Sequence, residues 1–100
     1  MVKNFHVYIM ASHKNGTLYI GMTSDLAGRV FDHKESRLKG FTQRHNVKRL
    51  VYYEACEDAN EAIEREKFLK KQRRDYKIRM IERDNPEWYD LYGDMRYLSY

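Results

Sequence analysis

The sequence predicts an α+β fold, a small three-stranded antiparallel sheet flanked by helices in the order β-β-α-β-α-α. Three short segments are rich in β-branched and aromatic residues, and Asn15-Gly16, a strong hairpin signal, joins the first two. Three other segments carry apolar residues at helical spacing. Because the chain has 100 residues and one proline, we expect a single domain over 1–100, with its core at about 3–88 and a tail at 89–100.

The first two strands are predicted over FHVYIM (5–10) and TLYIGM (17–22). Since side chains alternate along a strand, any even-length loop places Tyr8 and Tyr19 on the same face of the hairpin. The opposite face then presents aliphatic side chains to a core, namely Val7, Ile9, Leu18 and Ile20. Gly21 ends the second strand just before a helix, at a point where the backbone can approach a ligand closely.

The first helix is predicted over TSDLAGRVFDHK (23–34), where Ser24 or Asp25 can cap its N-terminus. Arg29 and His33 are four residues apart and therefore share one edge of this helix. Gly28 costs the helix up to ~1 kcal/mol relative to Ala, which predicts close packing or a nearby ligand. KGFTQRHN (39–46) is typical of a loop, and KRLVYYEAC (48–56) is typical of a third strand.

The second helix, EDANEAIEREKFLKKQ (57–72), contains two carboxylates with different surroundings. Glu66 lies within the apolar stripe, whereas Glu64 faces solvent. The residues expected to anchor this helix are Ala59, Ala62, Ile63 and Leu69. Because burying an unpaired carboxylate is costly, Glu66 needs a cation, for which Arg29 or a divalent metal would serve. RDYKIRMIERD (74–84) predicts a third helix, which NPEW ends.

Charge is unevenly distributed along the chain, whose formal net charge is +4. Seven Lys or Arg lie between Gly28 and Leu50 and eight between Glu64 and Arg79, whereas the tail after Glu82 is acidic. This pattern predicts either a polyanionic partner or a solvated, Lys-rich surface. A cytoplasmic protein is expected for three reasons. No segment approaches the ~20 apolar residues of a membrane span, the N-terminus lacks a secretory signal pattern, and Cys56 is alone.

Several motifs, in order, resemble the GIY-YIG nuclease family. HVY (6–8) stands where the family has Gly-Ile-Tyr, YIG (19–21) follows, and the next helix carries Arg29 and His33. LKGFT (38–42), LVYYE (50–54), AIEREKFLK (62–70) and NPEWYDLY (85–92) are similar to the small, stand-alone, single-domain bacterial branch, the UPF0213-type proteins. The resemblance covers nearly the whole chain, and its strength lies in the order and spacing of the motifs.

The resemblance implies a metal-dependent DNA endonuclease that uses Mg²⁺ or Mn²⁺. Glu66 would bind the metal, and Arg29 would hold the scissile phosphate. Tyr8 would be the general base if nearby positive charge lowers its pKa, supported by Tyr19. His33 could relay a proton or hydrogen-bond the phosphate or Tyr8. Gly21 and Asn85 have supporting roles in this scheme, Asn85 by fixing a neighbouring side chain or ending the last helix.

Basic residues beside these motifs would form a DNA-binding surface: Lys34, Arg37, Lys39, Arg44, Lys70, Lys71, Arg73 and Arg74, with Thr42 between them. Contacts to phosphates carry no sequence information, so low intrinsic specificity is expected, directed at structured, nicked or single-stranded DNA or supplied by a protein partner. The oligomeric state stays open. The alternatives are a nucleic-acid-binding module of the same fold with little or no turnover, and a structural domain for protein interaction.

Overall fold

The computed structural model describes residues 5–37, 40 and 44–93 and confirms the predicted fold class and element order. Its strands are β1 Phe5–Ala11, β2 Leu18–Thr23 and β3 Arg49–Cys56, and its helices are α1 Leu26–Lys34, α2 Ala59–Lys71 and α3 Arg74–Asp84. Two residues of the predicted DNA-binding surface, Lys39 and Thr42, lie outside the described residues. In the described part of the chain, no helix has the length and apolar character needed to cross a bilayer.

The sheet has the strand order β2-β1-β3, and both pairings are antiparallel. Its central strand, β1, carries Tyr8, which lies opposite Gly21 on β2 and Tyr53 on β3. The register of β1 with β3 shifts between Ile9 and Met10, and this bulge leaves Val51 as the extra residue. Tyr8 is therefore enclosed by a strand on each side.

Both faces of the sheet are buried, and the sequence predicted a core on the face that carries Val7 and Ile9. One face packs against α2 and α3 through a core that includes Val7, Ile9, Ile20, Leu69, Ile81 and Trp88. The other face carries Tyr8 and Met10 and packs against Leu26 and Val30 of α1. The face that carries Tyr8 is thus separate from the face on which α2 packs.

Helix α2 anchors itself through fewer residues than its apolar stripe predicts. Ala62 and Leu69, seven residues apart, are fully buried, whereas Ile63 is 37% exposed. At 3.6 residues per turn, Ile63 is rotated about 100° from Ala62, so it lies beyond the buried line. Glu66 is rotated only about 40° and lies at the flank of that line. The prediction that Ile63 anchors the helix is therefore wrong.

Helices α1 and α2 start with side-chain caps, whereas α3 has none, and the cap of α1 accounts for Gly28. The Asp25 carboxylate accepts a hydrogen bond from the Gly28 N–H at 3.1 Å, and Asp58 caps α2 through the Glu61 N–H at 2.9 Å. A Cβ at Gly28 would lie 2.2 Å from the Asp25 carboxylate. The glycine thus gives the capping carboxylate room.

The segment after α3 packs along β3. Asn85 ends α3 and donates from Nδ2 to the carbonyls of Val51 at 3.2 Å and Tyr89 at 2.9 Å. The Asp90 carboxylate accepts from the Leu50 N–H at 3.2 Å. Leu91 and Tyr92 pack against the core below α1. The packed body therefore extends past residue 88, beyond the boundary expected from the sequence.

Candidate active site

Three aromatic side chains meet between β1, β2 and α1. The Tyr8 hydroxyl lies 3.1 Å from Nε2 of His33 and forms a buried hydrogen bond with it. The ring of Tyr19 has its centroid 6.3 Å from that of Tyr8 and 5.3 Å from that of His33. Tyr8 and His33 are buried, whereas Tyr19 is half-buried. The predicted placement of both tyrosines on one face is thus seen, and His33 joins them from α1.

Gly21 makes space for this cluster. A Cβ built on Gly21 would lie 2.5 Å from the Tyr8 hydroxyl oxygen and 2.7 Å from Cζ of the same ring. Carbon atoms pack favourably at about 3.5–4.0 Å, so no side chain fits between this backbone and the ring. The sequence predicted a close approach at Gly21, and its partner in the structure is Tyr8 itself.

The surroundings of Tyr8 raise the pKa of its phenol above its ordinary value. Burial is the largest cause, the neighbouring Tyr19 adds to it, and Glu66 contributes in the same direction. Arg29 opposes them by lowering the pKa, but its effect is smaller than that of burial. The protein groups around Tyr8 therefore keep the phenol neutral, and the positive charge of Arg29 alone does not produce the lowered pKa that a Tyr8 general base requires.

His33 has the opposite shift. Burial, followed by the nearby positive charge of Arg29, lowers the pKa of His33 to about 4, although Asp32 acts the other way. The imidazole is therefore neutral near pH 7 and can accept a hydrogen bond from the Tyr8 hydroxyl at Nε2. Its other nitrogen, Nδ1, is buried without a hydrogen-bond partner among the described residues.

Arg29 and Glu66 bring opposite charges to this cluster from two helices. Arg29 is exposed on α1 and influences the pKa of both Tyr8 and His33. Glu66 on α2 influences the pKa of Tyr8, and its side chain is 21% exposed. Of the five residues predicted to be catalytic, Tyr8, Tyr19 and His33 are thus in contact, whereas Arg29 and Glu66 act on Tyr8 through their charges. Asn85 lies away from this cluster, at the end of α3, where its side chain donates a hydrogen bond to the Val51 carbonyl of β3.

The cationic side chain beside Glu66 is Lys70, and the Arg29 partner that the sequence suggested is not seen among the described residues. Lys70, one turn further along α2, has its Nζ 3.6 Å from Oε2 of Glu66 and is itself half-exposed. This distance exceeds that of a hydrogen bond, so the pair is loose. No cluster of three or more His, Cys, Asp or Glu suited to a metal occurs in the described ranges. The donor set fits Mg²⁺ or Mn²⁺ held by one accessible carboxylate, with water and phosphate oxygens as further ligands.

The predicted DNA-binding residues fall into two groups. Arg37, Arg44, Lys70, Lys71 and Arg73 are exposed, as a phosphate-binding surface requires. Lys34 is instead bound to the Asp90 carboxylate and the carbonyl of Lys48, and Arg74 donates to the hairpin carbonyls of Asn15 and Gly16 at 2.7 and 2.6 Å. Both of these cations hold parts of the fold together, and we leave them out of the proposed DNA-binding surface.

Sequence reasoning did not single out Lys77, which lies on α3 beside Tyr19 and Lys70 in one cleft. The only available signal was its membership of the basic segment between Glu64 and Arg79. Because the break between α2 and α3 separates Lys70 from Lys77, no helical periodicity connects them.

Known proteins match this chain over most of its length. Residues 4–79 match the GIY-YIG catalytic domain. The UPF0213 protein of Clostridium perfringens is 34% identical over 76 residues, which cover 76% of this chain and 81% of that protein. The UPF0213 protein of Bacillus licheniformis is 30% identical over 90 residues, which cover 90% of this chain and 93% of that protein. The solution NMR structure of the UPF0213 protein of Bacillus halodurans matches with a TM-score of 0.49 and 28% identity, over 78% of this chain and 82% of that one.

Proposed function

Because the chain belongs to the GIY-YIG catalytic-domain family, we propose that it is a divalent-metal-dependent endonuclease that hydrolyses phosphodiester bonds in DNA. One observation carries the proposal. Arg29 influences the pKa of both Tyr8 and His33, Glu66 influences that of Tyr8, and both of these oppositely charged side chains reach solvent. An exposed guanidinium and an accessible carboxylate that both act on Tyr8 suit a substrate that brings phosphate oxygens and a hydrated cation together.

Arg29 and Glu66 divide the handling of charge in this proposal. The Arg29 guanidinium donates two parallel hydrogen bonds to the scissile phosphate. Glu66 would hold Mg²⁺ or Mn²⁺, which would neutralise phosphate charge and lower the pKa of water. Lys70 is half-exposed and only loosely joined to Glu66, so its ammonium can leave the carboxylate.

The two tyrosines take different parts. The Tyr8 hydroxyl is buried and hydrogen-bonded to His33, so this pair fixes the position of the cluster and gives any proton leaving Tyr8 an acceptor at Nε2. Tyr19 is half-buried and also lines an open cleft, so its hydroxyl is the better placed of the two to contact water or phosphate. Tyr8 as the general base requires positive charge beyond that of Arg29, since the protein groups together raise its pKa.

We further propose that sequence specificity is low and that the protein acts in the cytoplasm, on nicked, branched or single-stranded DNA during repair. The exposed basic side chains support this substrate class, because Arg37, Arg44, Lys71 and Arg73 suit contacts with phosphates. Phosphate contacts give affinity and salt dependence without reading bases.

The two carboxylates of α2 provide a matched test. Wild-type protein, Glu66→Ala, Arg29→Ala and the control Glu64→Ala are incubated with plasmid, single-stranded and branched DNA in Mg²⁺, Mn²⁺ or EDTA. Since Glu64 is exposed, Glu64→Ala should retain nearly full cleavage. Glu66→Ala and Arg29→Ala should each lose at least ~100-fold, the scale of losing one preorganised electrostatic contact. Equal cleavage by all four proteins would mean that a contaminating nuclease produces it.

A nucleic-acid-binding module with little or no turnover is the second candidate. The observation that favours it is the burial of Tyr8, which is 2% exposed and whose pKa is raised. Such a module should bind DNA in EDTA as tightly as in Mg²⁺ and leave every substrate intact. Metal-dependent cleavage by wild-type protein that Glu66→Ala abolishes excludes it.

A further inference from the structure

A cleft extends from the candidate site along the outer strand of the sheet. Its lining consists of Leu18, Tyr19 and Ile20 from β2, Lys70 from α2 and Lys77 from α3. The cleft has a volume of about 270 Å³. A water molecule occupies about 30 Å³ in the liquid, so the cleft has room for a group of the size of a phosphate with part of its sugar.

The cleft and the candidate site share two residues. Tyr19 contacts the Tyr8–His33 pair with its ring and also lines the cleft. Lys70 lines the cleft and pairs with the proposed metal ligand Glu66 at 3.6 Å. A strand whose scissile phosphate lies between Arg29 and Glu66 can therefore continue directly into the cleft.

Lys77 differs from the other cations of α3 in being available. Arg74 is held by the hairpin carbonyls, and Arg79 pairs with Asp75 at 3.3 Å. Lys77 forms no ion pair with any of the described residues, and its half-buried stem lies in the cleft beside apolar side chains. A lysine stem packed on apolar surface with its ammonium at the rim is a suitable contact for an anion that carries an apolar portion.

We propose that Lys77, together with Lys70, binds the DNA phosphate adjacent to the scissile one, with the sugar lying over Leu18 and Ile20. The inference rests on the proposed function, because it takes DNA as the strand that fills the cleft. Its contribution is affinity and direction: the strand leaves the site on the β2 side, and the contact is independent of base sequence.

The experiment measures DNA binding without cleavage. Full-length protein is titrated against a fluorescent 20-nucleotide DNA, single-stranded and duplex, in EDTA at 50–300 mM salt, and anisotropy gives the dissociation constant. The variants are Lys77→Gln and Lys77→Arg, with Lys67→Gln as the control. Lys67 is exposed on α2 and outside the cleft, so its replacement changes net charge equally. Circular dichroism checks that each variant is folded.

Lys77→Gln should weaken binding to duplex DNA about eightfold at 0.1 M salt, because one lost contact reduces the salt slope by about 0.9. Lys77→Arg should restore most of the affinity, and Lys67→Gln should stay within about twofold of wild type. Equal weakening by Lys77→Gln and Lys67→Gln, or no recovery with Lys77→Arg, overturns the proposal.

Cleavage of plasmid in Mg²⁺ separates this proposal from the proposed function. Binding that depends on Lys77 without any cleavage supports the cleft as a DNA-binding site and contradicts the nuclease. Cleavage that requires Glu66, combined with binding indifferent to Lys77, overturns only the cleft. Failure of the wild-type protein to bind either DNA at 50 mM salt overturns both.

Discussion

Replacing Gly21 with alanine should damage both the stability of the protein and its candidate site. The added Cβ would lie 2.5 Å from the hydroxyl oxygen and 2.7 Å from Cζ of Tyr8, so the ring must move by about 1 Å to restore ordinary packing distances. Tyr8 is 2% exposed and enclosed by Met10, Leu26 and Val30, so it cannot move freely.

The magnitude follows from three contributions. Overpacking a core costs about 1–3 kcal/mol, and losing the Tyr8–His33 hydrogen bond costs about 1 kcal/mol. Replacing glycine within a strand returns roughly 0.5–1 kcal/mol. We therefore expect Gly21→Ala to lower the free energy of unfolding by about 2 kcal/mol and to abolish cleavage.

Urea unfolding followed by Trp88 fluorescence measures this change, because Trp88 is the single tryptophan and is fully buried. Gly28→Ala is the matched control, because its new Cβ would meet only the exposed, movable carboxylate of Asp25. The gain in helix propensity and the loss of the cap are each ~1 kcal/mol, so they roughly offset each other in the free energy of unfolding. The double variant Tyr8→Phe/Gly21→Ala should be less destabilised than the sum of its parts, since the closest contact is removed. A Gly21→Ala protein within about 0.5 kcal/mol of wild type would refute the packing argument.

Two further predictions concern titration and the arginine pair. The His33 pKa of about 4 in the folded protein, against ~6.5 unfolded, means that the unfolded chain binds more protons between these values. The free energy of unfolding should therefore fall by up to about 3 kcal/mol as the pH drops from 6.5 to 4. Urea titrations across this range measure the change. The His33→Gln variant should lose most of this pH dependence, and the control His13→Gln should keep it. Arg74→Ala should lower the free energy of unfolding by about 1 kcal/mol, because it removes two hydrogen bonds to the hairpin, whereas Arg73→Ala, whose side chain is 90% exposed, should lower only DNA affinity. Urea midpoints and anisotropy titrations separate the two arginines, and a loss of stability confined to Arg73→Ala would contradict their assignment.

Local patterns predicted the elements and the faces of the sheet. Alternation along β1 and the Asn15-Gly16 turn are sufficient to place Tyr8 and Tyr19 together, because side-chain direction in a hairpin follows from counting residues. The spacing of Arg29 and His33 placed them on one edge of α1, yet one is exposed and the other buried. How deeply a side chain is buried depends on which other elements pack against that edge, and the spacing of residues does not show this.

The contacts between segments that are distant in the chain could not be predicted from the sequence pattern. The side chain of Arg74 reaches carbonyls 58 and 59 residues earlier in the chain, and Lys34 reaches a carboxylate 56 residues later. From the sequence, both residues were predicted to be surface cations available to DNA. The sequence does not show which distant group a charged side chain pairs with. The raised pKa of Tyr8 was missed for a related reason: it is dominated by burial, which the sequence does not specify for one residue.

The positions of the site residues along the chain have a consequence for how the site forms. Tyr8, Tyr19, Gly21, Arg29 and His33 all come from the continuous β1–β2–α1 unit, whereas Glu66 comes from α2, after β3 has completed the sheet. During synthesis from the N-terminus, the segment with Arg29, the proposed phosphate ligand, emerges first, and Glu66, the proposed metal ligand, follows. The two halves also belong to different packing layers, which hydrogen exchange can resolve as separate opening units. The affinity of the protein for a divalent cation should therefore depend on how stably α2 docks on the β1–β2–α1 unit.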